Sequence, residues 1–218
     1  MKSSKSADKV HPGIALALLR SMRDQDTPDE SLEDEAFVDS LPRRLGLNDV
    51  VNVQMRRYAD LRDRGQYLAL SEFLDLVRLI SRRPDARPIF CTAGRALAID
   101  RFAESGVLRR AARRLSPEGV RQRRLLRSMS SAAQALSPGV QIVADRDPPA
   151  MTLEDFALAP AGIHGNACEI LTAALDVCVA EMWDADLSVR HAECQGRGDA
   201  RCAWSLVASP EVATLAAG

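Results

Sequence analysis

Aromatic residues are scarce: Phe, Trp and Tyr together make up 4% of the 218 residues. A core must therefore come from Leu, Ala, Val and Ile, and the 46% hydrophobic content supplies them. One-sided charge is also missing. The formal net charge is -1, so nothing global points to nucleic acid. No uninterrupted apolar run approaches the roughly 20 residues of a membrane span. The apolar IALALL after His11-Pro12-Gly13 is too short for a secretory segment and meets Arg20 at once. The chain is expected to be soluble and cytoplasmic. Its five cysteines are an odd number without an export signal, which argues against structural disulfides and for buried thiols or metal binding. No GxGxxG, P-loop or HExxH occurs, and no internal repeat.

The present pattern is mostly helical. Three divisions are expected: a short helical N-terminus over 1–30, a helical region over 31–136, and an α+β module over 137–210. The fold class is α+β. Pro12 opens a first helix. Eight acidic residues and no Lys or Arg lie between Asp24 and Asp39, and Ser31 with Asp34 resembles a capping box. Val50, Val51, Met55, Tyr58 and Leu61 share helical spacing. Ser71 caps a second run (Phe73, Leu74, Leu76, Val77, Leu79, Ile80), and a third starts after Pro88 and stops at Gly106. From Arg101 to Arg127 nine arginines face only Glu104 and Glu118. This is either a solvated face, pairing with the acidic stretch, or a docking surface for carboxylates, with Arg109, Arg110, Arg113 and Arg114 at its centre. Ser116 caps the next helix, with Pro117 as its first residue. VQIVAD reads as a strand, 151–160 is ambiguous, and Gly162 to Trp183 is helical again. LSVRHAEC and CAWSLVA read as two strands joined by a glycine-containing loop.

The chemistry concentrates in HAECQGRGDARCAWSL, from His191 to Leu206. Thiolates and imidazole are natural zinc ligands, and a structural site needs four of them. Cys194 and Cys202 sit at facing strand ends. His191 is three residues before Cys194, so on a regular strand the two point to opposite faces, and a bulge or an early start of the turn is needed to unite them. Glu193 has the same difficulty. Cys168, at the start of the preceding helix, is the leading fourth candidate. The spacing alone leaves three readings open: a metal site, buried thiols near a hairpin, or a redox pair. His164, four residues before Cys168, is expected to be polar surface near the helix start; the alternatives are that it replaces His191 as ligand or serves as an axial ligand to Mg or haem. Cys91 and Cys178 are expected to be buried thiols, His11 exposed, and Trp183 and Trp204 packing residues.

Cys168 leading a helix, an acidic turn, a strand ending in Cys194, and GxGDxxC through Cys202 to Trp204 resemble the 4-vinyl reductase domain family. The resemblance implies a zinc-stapled helix and β-hairpin module with Cys168, His191, Cys194 and Cys202 as the metal ligands. At the position of His191 the family more often has Glu. The length, HPGIALALLRSMR and LPRRLGLNDVVNVQMRRY further resemble family members that act in bacteriochlorophyll biosynthesis and have been assigned as vinyl reductases. This implies work on a Mg-porphyrin or chlorophyllide intermediate, a homodimer, contact with enzymes of that synthesis, and a place at the edge of the photosynthetic membrane. No cofactor fingerprint accompanies the motif, so a tetrapyrrole carrier is expected ahead of a reductase or a small-molecule sensor.

Overall fold

The computed structural model describes residues 8–26, 48–103, 116–146, 149–183 and 186–208. Within them the chain is α+β: mostly helical, with a four-stranded antiparallel sheet and a two-stranded ribbon. The ribbon pairs β1 (Lys9–Val10) with β2 (Leu68–Ala69). The helices are α1 (Pro12–Asp26), α2 (Asn48–Asp63), α3 (Leu70–Ser81), α4 (Ala86–Ala103), α5 (Glu118–Leu136), the single turn α6 (Leu158–Ala161) and α7 (Glu169–Met182). The sheet strands are β3 (Gln141–Arg146), β4 (Pro149–Glu154), β5 (Leu187–Glu193) and β6 (Cys202–Ala208), in the order β3-β4-β6-β5.

One apolar core runs through all layers. Its axis is α7, which packs against α4, α5 and β5. Ile170, Leu171, Leu175 and Val179 are fully buried, and Asp176 turns its carboxylate to accept the Val189 amide at 2.6 Å. Burial pushes that carboxyl up. Together with the preceding turn, residues 163–182 are long and apolar enough to cross a membrane by length and composition alone, although Glu169 and Asp176 interrupt them. More than half of this segment is buried inside the fold, the signature of a central core helix. α4 meets α7 at Gly94, where a Cβ would collide with the Ile170 carbonyl oxygen. Only a residue without a side chain permits that approach.

Several local expectations need correction. Ser71 lies inside the first turn of α3, whose N-cap is Ala69 without a side-chain bond, because β2 feeds directly into the helix. The Leu70 amide donates instead to the Asp8 carbonyl at 2.8 Å. Pro117, not Ser116, is the N-cap of α5, and Ser116 accepts a bond from Arg124 at 3.3 Å. Pro88 does not precede α4 but stands in its first turn, where its missing N–H costs nothing. Val50 and Leu79 are exposed, since adjacent apolar residues on a helix cannot all face one core. The ambiguous 151–160 stretch is the end of β4, with Met151 and Leu153 buried, followed by α6. Cys91 is half-buried, whereas Cys178 is buried. Asp24 and Asp26 pair with Arg23 and Arg83, and the rest of the acidic stretch lies outside the described residues. The Ser31–Asp34 capping box, the Gly106 cap, Arg109, Arg110, Arg113 and Arg114 lie outside the described residues.

A polar clamp ties α2 to α3. Arg57 forms a two-point pair with Glu72, and the Tyr58 hydroxyl donates to the same carboxylate at 3.2 Å. Burial, with Glu72 beside it, pushes the Tyr58 phenol up to about 12. A phenol raised above its unfolded value of about 10 stabilises the fold below pH 10 and loses that contribution as pH rises through its folded value. Tyr58→Phe should cost about 1 kcal/mol at pH 7, the size of one hydrogen bond. It should also flatten the loss of stability between about pH 10 and 12. Urea midpoints measured against pH test this, and an unchanged alkaline slope would refute it.

Candidate metal centre

The site forms where the N-terminus of α7 meets the β5–β6 hairpin. Gly162 to Trp183 is not one helix. Ile163–Cys168 is a 3-10 turn broken by left-handed backbone at His164 (φ 51°) and Gly165 (φ 74°), and α7 begins only at Glu169. Cys168 is therefore the N-cap of α7. The positive end of the helix favours a thiolate there. The kink also separates His164 from Cys168: His164 is exposed and stands apart from the sulfurs.

On the hairpin side, β5 and β6 run in register from Leu187↔Ala208 to His191↔Trp204. The next pair is Glu193↔Ala203, so Ala192 is an extra residue and the ladder bulges. This is the distortion that the His191–Cys194 spacing demands. After it, the chain turns through Gln195–Arg197 and Gly198 (φ 100°) and returns at Cys202. Asp199 braces the loop by accepting the Cys194 amide at 2.7 Å, while its own amide donates to the Cys194 carbonyl at 3.2 Å. Glu193 is half-exposed and bound to Arg201 at 2.8 Å, outside the cluster.

The result is a group of four donors. One ligand atom each from Cys168, His191, Cys194 and Cys202 lies within 4.8 Å of the others. All three cysteines are fully buried. Cys168 Sγ and Cys194 Sγ are 3.8 Å apart. Two thiolates bound to one tetrahedral zinc at about 2.3 Å each stand about 3.8 Å apart. A disulfide needs about 2.05 Å. The Cys168 thiol, shared with its neighbours, holds Cys202 down to about 5 and Cys194 down to about 6. Those same bonds, Cys194 first, push Cys168 itself up. Three sulfurs this close cannot all be anionic without a cation among them.

The imidazole adds an independent sign. His191 Nε2 is buried and has no hydrogen-bond partner among the described residues. A buried nitrogen left bare costs about 1–3 kcal/mol, and a metal ion would relieve it. The ring is fixed by stacking on Trp204, with centroids 4.3 Å apart and planes 6° from parallel. Trp204 Nε1 donates to Thr172 Oγ1 at 3.0 Å, and Thr172 donates to the Cys168 carbonyl at 3.2 Å. One chain of contacts thus orients donors from both sides of the site. The Gln195 amide points at Cys202 Sγ at 3.4 Å, a polar contact suited to thiolate.

Sequence reasoning did not assign roles to Gly165, Thr172, Gln195 or Asp199. Gly165 carried one signal, a glycine interrupting an otherwise helical pattern just before Cys168. Comparison of the chain with protein-family models, with curated proteins and with solved structures finds no match.

Two glycines separate backbone strain from crowding at the site. A Cβ on Gly198 meets nothing within 4 Å, so Gly198→Ala should cost only the left-handed backbone penalty of about 1–2 kcal/mol. A Cβ on Gly165 collides with Cys194 Sγ, so Gly165→Ala should add an overpacking cost of about 1–3 kcal/mol. Urea unfolding of both variants gives the comparison. Equal losses would show that Gly165 does not hold the sulfurs in place.

Proposed function

We propose that Cys168, His191, Cys194 and Cys202 hold one structural zinc ion, and that the protein binds a tetrapyrrole intermediate as a carrier rather than reducing it. The observation that carries the metal reading is the closed set of four buried or partly buried donors within 4.8 Å of one another. Three thiolates and an imidazole satisfy zinc fully. Such a site offers charge neutralisation and a fixed joint, with no open position for substrate. The tetrapyrrole reading is supported by the resemblance of the GxGDxxC segment and the N-terminal helices to proteins of bacteriochlorophyll biosynthesis, among them the J protein. The carrier form of that reading is supported by a sequence without a nicotinamide or flavin fingerprint. As a carrier the chain would meet the enzymes that supply and consume the pigment precursor, as a homodimer like its family.

Metal analysis of protein purified without chelator should return one zinc per chain. Cys194→Ser and Cys202→Ser should each lose most of it, and cobalt should give the ligand-field bands of a tetrahedral thiolate site. Removing the ion should lower the melting temperature, because the metal binds only the folded arrangement. Retention of full zinc in the double variant would remove the metal claim. For the ligand, titration with a Mg-porphyrin followed by NADPH should show binding without loss of the vinyl group. Turnover would replace the carrier reading with the vinyl reductase.

A further inference from the structure

The cavity on the far side of the ribbon is built from four separate chain segments and measures about 430 Å³. The ribbon alternates. Val10 and Leu68 face the core at 1% exposure, so Lys9, His11 and Tyr67 point outwards together. Opposite them stand Ser131 and Gln134 from the last turns of α5, and the Pro138-Gly139 turn closes the cavity. Among the described residues no Asp or Glu lines it.

The donor chemistry is one-sided. Lys9 has no ion-pair partner among the described residues. The Gly13 amide donates to His11 Nδ1 at 3.2 Å, so the neutral imidazole carries its proton on Nε2 and remains a donor. Tyr67 meets the His11 ring edge-on, with centroids 6.2 Å apart. It is 60% exposed, although the chain has only two tyrosines and buries the other in its core. Lys9, His11 and Tyr67 therefore bring an ammonium, an imidazole N–H and a phenol to the lining of one cavity. The C-terminus of α5 opposes an anion here with about half a negative charge, which the full charge of Lys9 outweighs.

We propose that this cavity binds the carboxylate of a planar, largely apolar small molecule, with Lys9 and His11 on the oxygens and Tyr67 against the ring system. For a tetrapyrrole the group bound is a propionate edge, and that extension rests on the carrier reading above.

The test uses the full zinc-loaded chain, labelled with nitrogen-15. It is titrated with benzoate, with Mg-protoporphyrin, and with the methyl ester of each. The acids should shift the amide resonances of Gly13 and Gly139 and the imidazole of His11, and the esters should not. Lys9→Glu and His11→Gln should each weaken binding at least tenfold while melting temperature and zinc content stay the same. Shifts with benzoate but not with the porphyrin would support the cavity and sink the tetrapyrrole reading. Porphyrin binding that neither variant weakens would keep the tetrapyrrole and overturn the cavity. Absence of shifts at all three reporters with both acids would also overturn it.

Discussion

Three sulfur atoms forced together inside a protein repel as anions, and the rest of this structure is arranged around that pressure. The sulfurs come from two places that would not otherwise meet, the N-cap of α7 and the two ends of the β5–β6 hairpin. Each local irregularity nearby serves the meeting. The left-handed backbone at His164 and Gly165 kinks the 3-10 turn, so that Cys168 becomes the N-cap of a helix that starts at Glu169. The bulge at Ala192 brings His191 to the same side as Cys194. The left-handed Gly198 returns the chain to Cys202. Strain of this kind persists only where surrounding contacts hold it, and here the donor cluster is what those contacts enclose.

The packing behind the cluster is as specific as the cluster. Trp204 lies 1% exposed between Phe156, edge-on at 5.8 Å, and the stacked ring of His191. In a chain so poor in aromatics, placing the indole here gives the imidazole a rigid wall. The indole N–H, the Thr172 hydroxyl and the Cys168 carbonyl then form a hydrogen-bonded line from sheet to helix. A farther latch joins the helical layer to the same turn. Ser81 Oγ accepts the Ile163 amide and donates to Asn166 Oδ1, both at 2.6 Å, while Asn166 Nδ2 returns a bond to the Ser81 carbonyl at 3.0 Å.

The hairpin strands β5 and β6 were legible because they rest on short-range rules, whereas β4 was not, and Cys168 was tied firmly to the hairpin donors only through the family resemblance. LSVRHAEC and CAWSLVA alternate, and their glycine-containing loop marks a hairpin. The odd spacing of His191 and Cys194 requires either a bulge or an early turn if both face one site, and the chain takes the bulge. What escaped the sequence depends on partners distant along the chain. Ser71 and Ser116 look like caps, but β2 and Pro117 take those places. Val50 and Leu79 fit a helical period, yet which side of a helix is covered depends on what packs there. The break at Gly165 was hidden because Cys168 to Met182 is apolar enough to mask one irregular turn. Ser81 and Asn166 lie 85 residues apart, and no local pattern links them.

The contact at Gly94 has a mechanical meaning. Where side chains separate two helices, small displacements are absorbed by rotamer changes. At Gly94 the backbone of α4 rests directly on the Ile170 carbonyl of α7, and nothing lies between to yield. The spacing of the two helices is therefore fixed by backbone contact, two residues from Cys168, the cysteine that caps α7.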